Sequence, residues 1–318
     1  MSLLYISQQL IFYGGIFLIL VGMFGNGMNV LIFSSIRSYR TNPSTFYFLI
    51  GSIDNILYIL INLISRIVAT GDGIDLTRTS IVWCKIRPFF VSTLPLINLT
   101  CSCLAAIDQF LITSKHAKIR RCSNIKWAHR IVLCFIIVWS LHGIPIFIFY
   151  EISPITQTCG NTNAAYGIYT TIYLLGLVTS IPAILMVFFG YLAYRNIHMT
   201  RNLNRQDVDR QLMRMTLFQV LLNIVCIVHY GINNLYSLIT SGVSKGADRL
   251  QMEYFISTIL TLLTYGYFTG SCYMFWISSS RFRKATKDRI CFWRRQNQIN
   301  PLPTITYGRT AFEMKTQS

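Results

Sequence analysis

The stretch IVLCFIIVWSLHGIPIFIFY, residues 131–150, contains no Asp, Glu, Lys or Arg and decides the class of fold. A helix needs roughly 20 mostly apolar residues to cross the hydrocarbon core of a bilayer, and this run is long enough. Six further segments of similar character lie on either side of it. The seven predicted spans are Leu10–Phe33, Phe46–Ala69, Val82–Thr113, Ile131–Tyr150, Tyr166–Leu192, Leu212–Leu238 and Tyr254–Ile277.

The composition of the chain agrees with this pattern. Of its 318 residues, 53% are hydrophobic and only 12% are charged, which is too apolar for a soluble domain of this size to cover with polar surface. The seven segments and their short connections take up nearly the whole chain. We therefore predict an all-α membrane protein, a seven-transmembrane helix bundle with a short amphipathic eighth helix, and no separate soluble domain.

The net charge of +17 does not indicate nucleic-acid binding, because the basic residues are concentrated in particular connections. Their distribution along the chain sets the topology. Every second connection is basic: Arg37 and Arg40 follow the first span, and six Lys and Arg residues without an acid follow the third. The alternate connections are near neutral and are expected to face outward. The prediction is a multi-pass plasma-membrane protein with an extracellular tail (residues 1–9), a membrane domain (10–277), and an amphipathic helix and cytoplasmic tail (278–318).

Three cysteines are placed where their chemistry matters. Cys84 starts the third span and Cys159 lies in the following outer loop, so both face the oxidising side and can form one disulfide. The alternative is two unpaired thiols. Cys291 follows a juxtamembrane stretch with one apolar and one basic face, which predicts a helix on anionic membrane lipid and palmitoylation of Cys291. The alternative there is a basic tail with an unmodified thiol.

Ionisable groups inside spans are costly and are functional hypotheses by default. Asp54, flanked by Ser52 and Asn55, lies in the middle of the second span. Asn26 and Asn29 lie in the middle of the first span, and Asn98 lies in the middle of the third. These side chains are expected to converge in one polar network, in which the Asp54 carboxylate would bind a cation or take up a proton. The alternative is that the polar groups form interhelical hydrogen bonds that only hold the helices together.

Several residues in order and spacing make the chain resemble a rhodopsin-like (class A) G-protein-coupled receptor along nearly its whole length. Asp54 falls 28 positions after Gly25-Asn26, and Asp108-Gln109-Phe110 begins 24 positions after Cys84, where the family has Asp-Arg-Tyr. Further matches are Trp139, Cys159, Pro182 and Phe282-Arg283. The resemblance implies a sodium ion held by Asp54 with Asn26, Asn98 and Ser271.

The departures from the family all fall in its switching machinery. Gln109 replaces the motif arginine, Ser271–Phe275 replaces Asn-Pro-x-x-Tyr, and Cys226–His229 replaces Cys-Trp-x-Pro, without its proline. The resemblance assigns G-protein coupling and switching to Asp108, Gln109, Phe110 and Phe275. The lost proline puts the kink of the sixth helix in doubt, although His229 could break that helix locally.

The ligand is constrained mainly by exclusion. Val91 stands where monoamine receptors carry an aspartate, which argues against an amine, and the seventh span has no lysine for retinal. Arg66, Lys85 and Arg87, with Val91, form the expected ligand mouth, and their charges would attract an acidic ligand such as a short neuropeptide. The alternative is that these basic residues meet lipid phosphates or local acids.

The resemblance implies a receptor that passes an extracellular ligand signal through its basic inner loops to a heterotrimeric G protein. One alternative is a non-signalling seven-helix receptor, a decoy or dimer partner, which Gln109 and Ser271–Phe275 favour; another is a membrane transporter. No enzyme is predicted, because the five histidines are dispersed without zinc-ligand spacing and no catalytic triad or P-loop pattern occurs. No cofactor or metal centre is expected beyond the sodium ion.

Overall fold

The structure, a computed structural model, describes residues 3–71, 75–154, 157–199, 206–240 and 242–296, with side chains except those of 37, 38, 71, 206–209 and 290–296. Within these ranges the chain forms eight long helices, joined by short connections. They are α1 (Leu3–Ser35), α2 (Pro43–Thr70), α3 (Ile81–Thr113), α4 (Ile125–Phe149), α5 (Ala164–Met199), α6 (Arg210–Ile239, continuing a helix that begins at Gln206), α7 (Ala247–Ser278) and α8 (Ser280–Gln296). Single helical turns at Arg37–Arg40, Leu76–Thr79 and Ala117–Arg120 lie in the connections.

In the described part of the chain, six helices, α1 to α6, are long and apolar enough to cross a membrane, as expected for a multi-pass membrane protein. The helix α7 has 32 residues but is less apolar than these six, because Thr, Tyr, Ser and Gly interrupt its apolar residues. Its buried residues include Thr264, Tyr267 and Ser271, so many of these polar groups face the other helices and not the outside of the bundle.

The helix α3 forms the centre of the bundle, and 72% of its most apolar window is buried. It packs against α2, α4, α5 and α6, whereas α1 packs against α2 and α7. Two large apolar clusters lie in the interior, one around Phe33, Phe48 and Phe275 and one around Tyr58 and Phe268, and a smaller third cluster includes Met186. The large apolar side chains left exposed lie on the outer faces of the helices, where lipid is their expected solvent.

The helices extend beyond the predicted apolar spans because polar capping residues, and not hydropathy, set their ends. Asn124 caps α4 by accepting a hydrogen bond from the Lys126 N–H, and Asn163 caps α5 in the same way from Tyr166. At the N-terminus the helix extends into the expected tail over residues 1–9. Leu3–Gln9 is already helical, since its apolar residues continue the pattern of the first span.

Two π-helical turns lie beside residues that bear on helix kinks, Pro182 in α5 and His229 in α6. The turn Leu174–Ser180 ends two residues before Pro182, and the turn Ile224–Val228 ends at the residue before His229. The helix α6 continues past His229 to Ile239, so His229 does not break it. A π-turn inserts an extra residue into the helical ladder and changes its direction without a proline.

The connection between α4 and α5 lies at the end of the bundle that the sequence predicts to be extracellular, termed the outer end. It forms a two-stranded antiparallel sheet, β1 (Tyr150–Ile152) and β2 (Cys159–Asn161), in which Glu151 pairs with Gly160. Cys159 of β2 is bonded to Cys84 of α3, which is the disulfide expected from the sequence. This bond ties the hairpin to the outer end of the central helix.

The helix α8 turns away from α7 at Ser279 and packs one face onto the bundle. Phe282 is fully buried against Phe33 and Phe275, and Arg283 donates hydrogen bonds to the last carbonyls of α7, at Trp276 and Ile277. The predicted palmitoylation site, Cys291, lies on this helix, but its side chain is outside the described residues.

Candidate functional site

A chain of three buried asparagines joins α1, α2 and α3 at the middle of the bundle. Asn55 is its centre: its Nδ2 donates to Asn26 Oδ1 at 3.0 Å, and its Oδ1 accepts from Asn98 Nδ2 at 2.7 Å. Asn26 also donates to the Phe268 carbonyl of α7 at 2.9 Å. Four helices are therefore linked through side-chain amides.

A second set of bonds runs beside this chain. Asn29 Nδ2 donates to Ser52 Oγ and to Ser271 Oγ, each at 3.1 Å, and so connects α1 with α2 and α7. The structure thus brings Asn26, Asn29 and Asn98 together with Ser52 and Asn55, the polar neighbours of Asp54 in the sequence. Ser271, which the resemblance implied, lies beside them.

The prediction for Asp54 needs correction. The carboxyl group is buried, with 5% of the residue exposed, but the described hydrogen bonds of the network run through Asn55. Asp54 and Asn55 are consecutive residues of α2, and of the two only Asn55 makes these bonds. Asp54 Oδ2 has no hydrogen-bond partner in the described part of the chain, and the carboxyl group lies within electrostatic reach of Cys101 on α3.

A cavity of about 10 Å³ borders the network, which is enough for one water molecule. Asn98 Oδ1 and Gln219 Oε1, two of its acceptors, have no partner within the described residues. The cavity offers only neutral polar groups to a sodium ion, and Asp54 is not among its lining residues. A cation would be left without a counter-charge in a medium of low polarity, so these residues do not fit the sodium ion implied by the resemblance. The polar residues of the lining are Tyr47, Ser52, Asn55, Asn98, Ser102, Gln219 and Ser271.

At the inner end of α3, Asp108 and Gln109 are both buried and both face α2. Asp108 accepts hydrogen bonds from Ser44 Oγ at the start of α2 and, at 2.6 Å, from Ser123 Oγ in the loop before α4. Gln109, only 1% exposed, donates from Nε2 to the same Ser44 Oγ at 2.7 Å. The neighbouring acid and amide therefore share one hydroxyl group, and this cluster ties α3 to α2 and to the inner loop.

The four residues assigned to switching do not form one cluster. Phe110 packs against Phe189 of α5, with 5.6 Å between ring centroids, whereas Asp108 and Gln109 face α2. Phe275 packs against Phe48, at 4.8 Å, on the α1–α2–α8 side of the bundle. The four positions thus lie on two helices, α3 and α7, and contact different partners.

The inner end of α6 is held by a residue that the sequence did not single out. Gln211 Oε1 accepts hydrogen bonds from Ser279 Oγ at 2.8 Å and from the Arg281 backbone N–H at 3.1 Å. Both donors belong to the corner between α7 and α8. This contact ties the start of α6 to the corner between α7 and α8.

The residues of the expected ligand mouth separate into two groups. Lys85 Nζ donates to the Phe147 carbonyl of α4 at 2.9 Å and so points towards α4. Arg87 Nη2 donates to Asn62 Oδ1 of α2 at 3.0 Å. Arg66 and Arg87 both lie within electrostatic reach of the Tyr265 hydroxyl on α7. Val91 is half-buried one turn further along α3.

An ionic cluster joins the outer ends of α6 and α7. Glu253 accepts hydrogen bonds from Lys245 Nζ, from Arg249 Nε at 3.0 Å and from the Tyr236 hydroxyl at 2.9 Å. Glu253 comes just before the predicted seventh span, and the hydrogen bond from Lys245 lowers the pKa of its carboxyl group. Below the cluster, a cavity of about 650 Å³ with a mainly apolar lining lies between α6 and α7 and reaches from Tyr236 and Glu253 to Leu260.

Metal ligation is not indicated elsewhere: within the described ranges, no group of three or more His, Cys, Asp or Glu side chains is close enough to hold a metal ion. A scan against protein-family models found no match, and a search of curated proteins found no similar sequence.

Proposed function

We propose that this chain is a seven-helix receptor of the rhodopsin-like kind, which couples an extracellular ligand to a heterotrimeric G protein. The observation that carries the proposal is the buried network that Asn55 joins to Asn26 and Asn98. It lies between an outer arginine pair and an inner cluster around Asp108. Asn29 Oδ1 and Asn98 Oδ1 have no partner among the described residues, so other hydrogen bonds are available if the helices shift.

The proposal includes a seventh crossing by α7. Its length of 32 residues exceeds the roughly 20 that a span requires, and polar residues of α7 such as Tyr267 and Ser271 are buried. Polar groups that bond inside a bundle do not meet lipid, so they lower hydropathy without preventing insertion. Seven crossings put α8 and the basic inner loops in the cytoplasm, with the N-terminus outside the plasma membrane.

The inner surface supplies the charge that a G protein would meet. The loop between α3 and α4 presents exposed basic side chains without an acid, and Arg281 and Lys284 add to this charge at the start of α8. The basic loop residues are Lys115, Lys118, Arg120 and Arg121, and Lys126 and Arg130 follow in the first two turns of α4.

Nucleotide exchange tests the proposal directly. Membranes containing the expressed protein should stimulate exchange on at least one class of purified heterotrimeric G protein, and Gln109→Arg should increase it by restoring the charge that the family uses. Gln109→Leu is the control, since it removes the hydrogen bond to Ser44 without adding charge. A panel of labelled neuropeptides, screened on the same membranes, then searches for the ligand.

A second candidate is a receptor that binds ligand without activating G proteins. The burial of Gln109 and its hydrogen bond to Ser44 favour it, because an uncharged side chain directed to α2 offers no cation at the inner surface. If neither the wild type nor Gln109→Arg stimulates exchange on any G-protein class, at surface expression equal to that of a known receptor, the signalling proposal fails and this one replaces it.

A further inference from the structure

Two arginines in the outer half of the bundle share one region without a neighbouring acid. Arg66 of α2 and Arg87 of α3 are half-buried, and both act electrostatically on the Tyr265 hydroxyl. The ion pairs in the described part of the chain involve Arg78, Lys245 and Arg249, not these two. Two like charges partly removed from water repel each other unless an anion is added.

Arg87 is held firmly but keeps an unused donor. Its Nη2 is fixed by Asn62 Oδ1, a side chain with only 6% exposure, while its buried Nε has no partner among the described residues. The Nε and Nη2 of one guanidinium match the two oxygens of a carboxylate in a bidentate pair. An oxyanion would therefore satisfy a donor that the protein leaves unpaired.

The surrounding side chains favour an anion attached to an aromatic or apolar body. Tyr58 and Tyr265 are buried with ring centroids 5.8 Å apart, and Tyr58 also packs against Phe268 at 4.2 Å. The Tyr265 hydroxyl meets no hydrogen-bond acceptor in the part of the chain that the structure describes, and Arg66, the side chain close enough to bond it, can only donate. The arginines beside it carry only donors, so its own proton lacks an acceptor that an oxyanion would supply.

The depth of this region favours a terminal acidic group. Arg87 follows Ile81, the first residue of α3, by six positions and the disulfide-bonded Cys84 by three, which places it roughly 9 Å along the helix from its outer end. The hairpin bonded to Cys84 covers that end. A group at the end of a ligand reaches this level more readily than one in the middle of a chain.

From these contacts we propose that Arg66 and Arg87 bind a terminal carboxylate of the extracellular ligand, with Tyr265 as an additional donor. This deepens the receptor proposal and rests on it for the outward orientation of the arginine pair. The carboxylate belongs either to a small aromatic acid or to the free C-terminus of a peptide, and the two sources are separated by experiment.

Thermal unfolding of the purified full-length protein in detergent tests the inference at constant ionic strength. One arm compares 3-phenylpropionate with 3-phenylpropionamide, and the other compares N-acetyl-Leu-Phe with its C-terminal amide. The acids should raise the melting temperature while the amides do not, and the arm with the larger shift identifies the source. Equal shifts for acid and amide in both arms, or none, would overturn the proposal.

Variants locate the site. In Arg66→Gln and in Arg87→Gln, the acid concentration needed for half of the maximal melting-temperature shift should rise at least about tenfold. Lys85→Gln removes the charge directed to α4 and should leave that concentration unchanged. Arg87→Lys keeps the charge without the bidentate geometry and should weaken the shift less than Arg87→Gln. An equal loss in Lys85→Gln would show a nonspecific charge effect and refute the site.

The assay separates this inference from the receptor proposal, because it needs no G protein. An acid-specific shift with silent nucleotide exchange would retain the anion site and reject signalling. Stimulated exchange without an acid-specific shift would retain signalling and reject the anion site.

Discussion

Asn55 hydrogen-bonds two other buried amides, and its removal would take one hydrogen bond from each. In Asn55→Ala, Asn26 Oδ1 loses its shorter bond and keeps only the one from Ser271 Oγ at 3.5 Å, and Asn98 Nδ2 keeps only the Gly51 carbonyl. Each lost hydrogen bond costs about 0.5–1.5 kcal/mol, so the apparent melting temperature in detergent should fall. Asp54→Ala is the adjacent control and should cost less, since Asp54 Oδ2 has no partner. A larger loss in Asp54→Ala would make the carboxylate the centre of the network.

Glu253 provides a pH-dependent contact at the outer end of α7. Its hydrogen bond from Lys245 holds the carboxyl pKa below the usual 4.5, so its stabilising effect is present above pH 4.5 and is lost as pH falls through the lowered value. Hydrogen exchange of the amides of residues 242–253, corrected for intrinsic rates, should accelerate only in that acidic range. In Glu253→Gln the exchange should be fast already at neutral pH. An unchanged pH profile in this variant would contradict the assignment.

At the scale of the helices, the approach of α5 to α6 depends on a glycine. A methyl group on Gly231 would lie 2.5 Å from Thr179 Oγ1 and 2.9 Å from its Cβ. Thr179 donates to the Leu174 carbonyl and cannot turn aside freely. Gly231→Ala should therefore destabilise the bundle by about 1–3 kcal/mol.

The matched control for this substitution is Gly27→Ala on α1, where no atom lies within 4 Å of the added methyl group. That change should be neutral or stabilising by up to about 1 kcal/mol through helix propensity. Thermal unfolding of both variants in the same detergent compares them. Equal melting temperatures for the two variants would show that α5 and α6 are not packed as closely as described.

The contact of α6 with the α7–α8 corner predicts how α6 is restrained. Gln211→Ala removes the acceptor of Ser279 Oγ and of the Arg281 N–H, and so frees the inner end of α6. If the chain signals, basal nucleotide exchange should rise in this variant. Gln211→Glu keeps an oxygen at the same position and should resemble the wild type. An increase in Gln211→Glu equal to that in Gln211→Ala would exclude the lost acceptor as the cause.

At the scale of the molecule, the orientation in the membrane is open to a direct test. A flexible insert with a glycosylation sequon after Gln157, in the hairpin bonded to α3, should be modified in cells. The same insert beside Asn124, at the start of α4, should remain unmodified, because the basic loop there is expected in the cytoplasm. A shift of the protein band on a gel, reversed by a glycosidase, reports the modification. The opposite pattern would reverse the proposed topology.

The helical membrane class, the approximate position of the helices and the cysteine pair follow from the amino-acid sequence alone. Each depends on a local or compositional property: the length of apolar runs, and the presence of one cysteine at each outer position. Asn26 and Asn98 were also predictable as members of the polar interior, because they are conspicuous among apolar neighbours, whereas Ser271 was assigned to it only by the resemblance.

Only the tertiary structure decided which face each polar residue presents and to which helix. A rotation of about 100° per residue separates Asp54 from Asn55, and hydropathy is insensitive to it. The packed structure likewise distinguishes Lys85, which points to α4, from Arg87, which contacts α2. The hydrogen bonds of Gln109 to Ser44 and of Gln211 to Ser279 could not be read from the sequence, because partners far apart in the chain meet only after the helices pack.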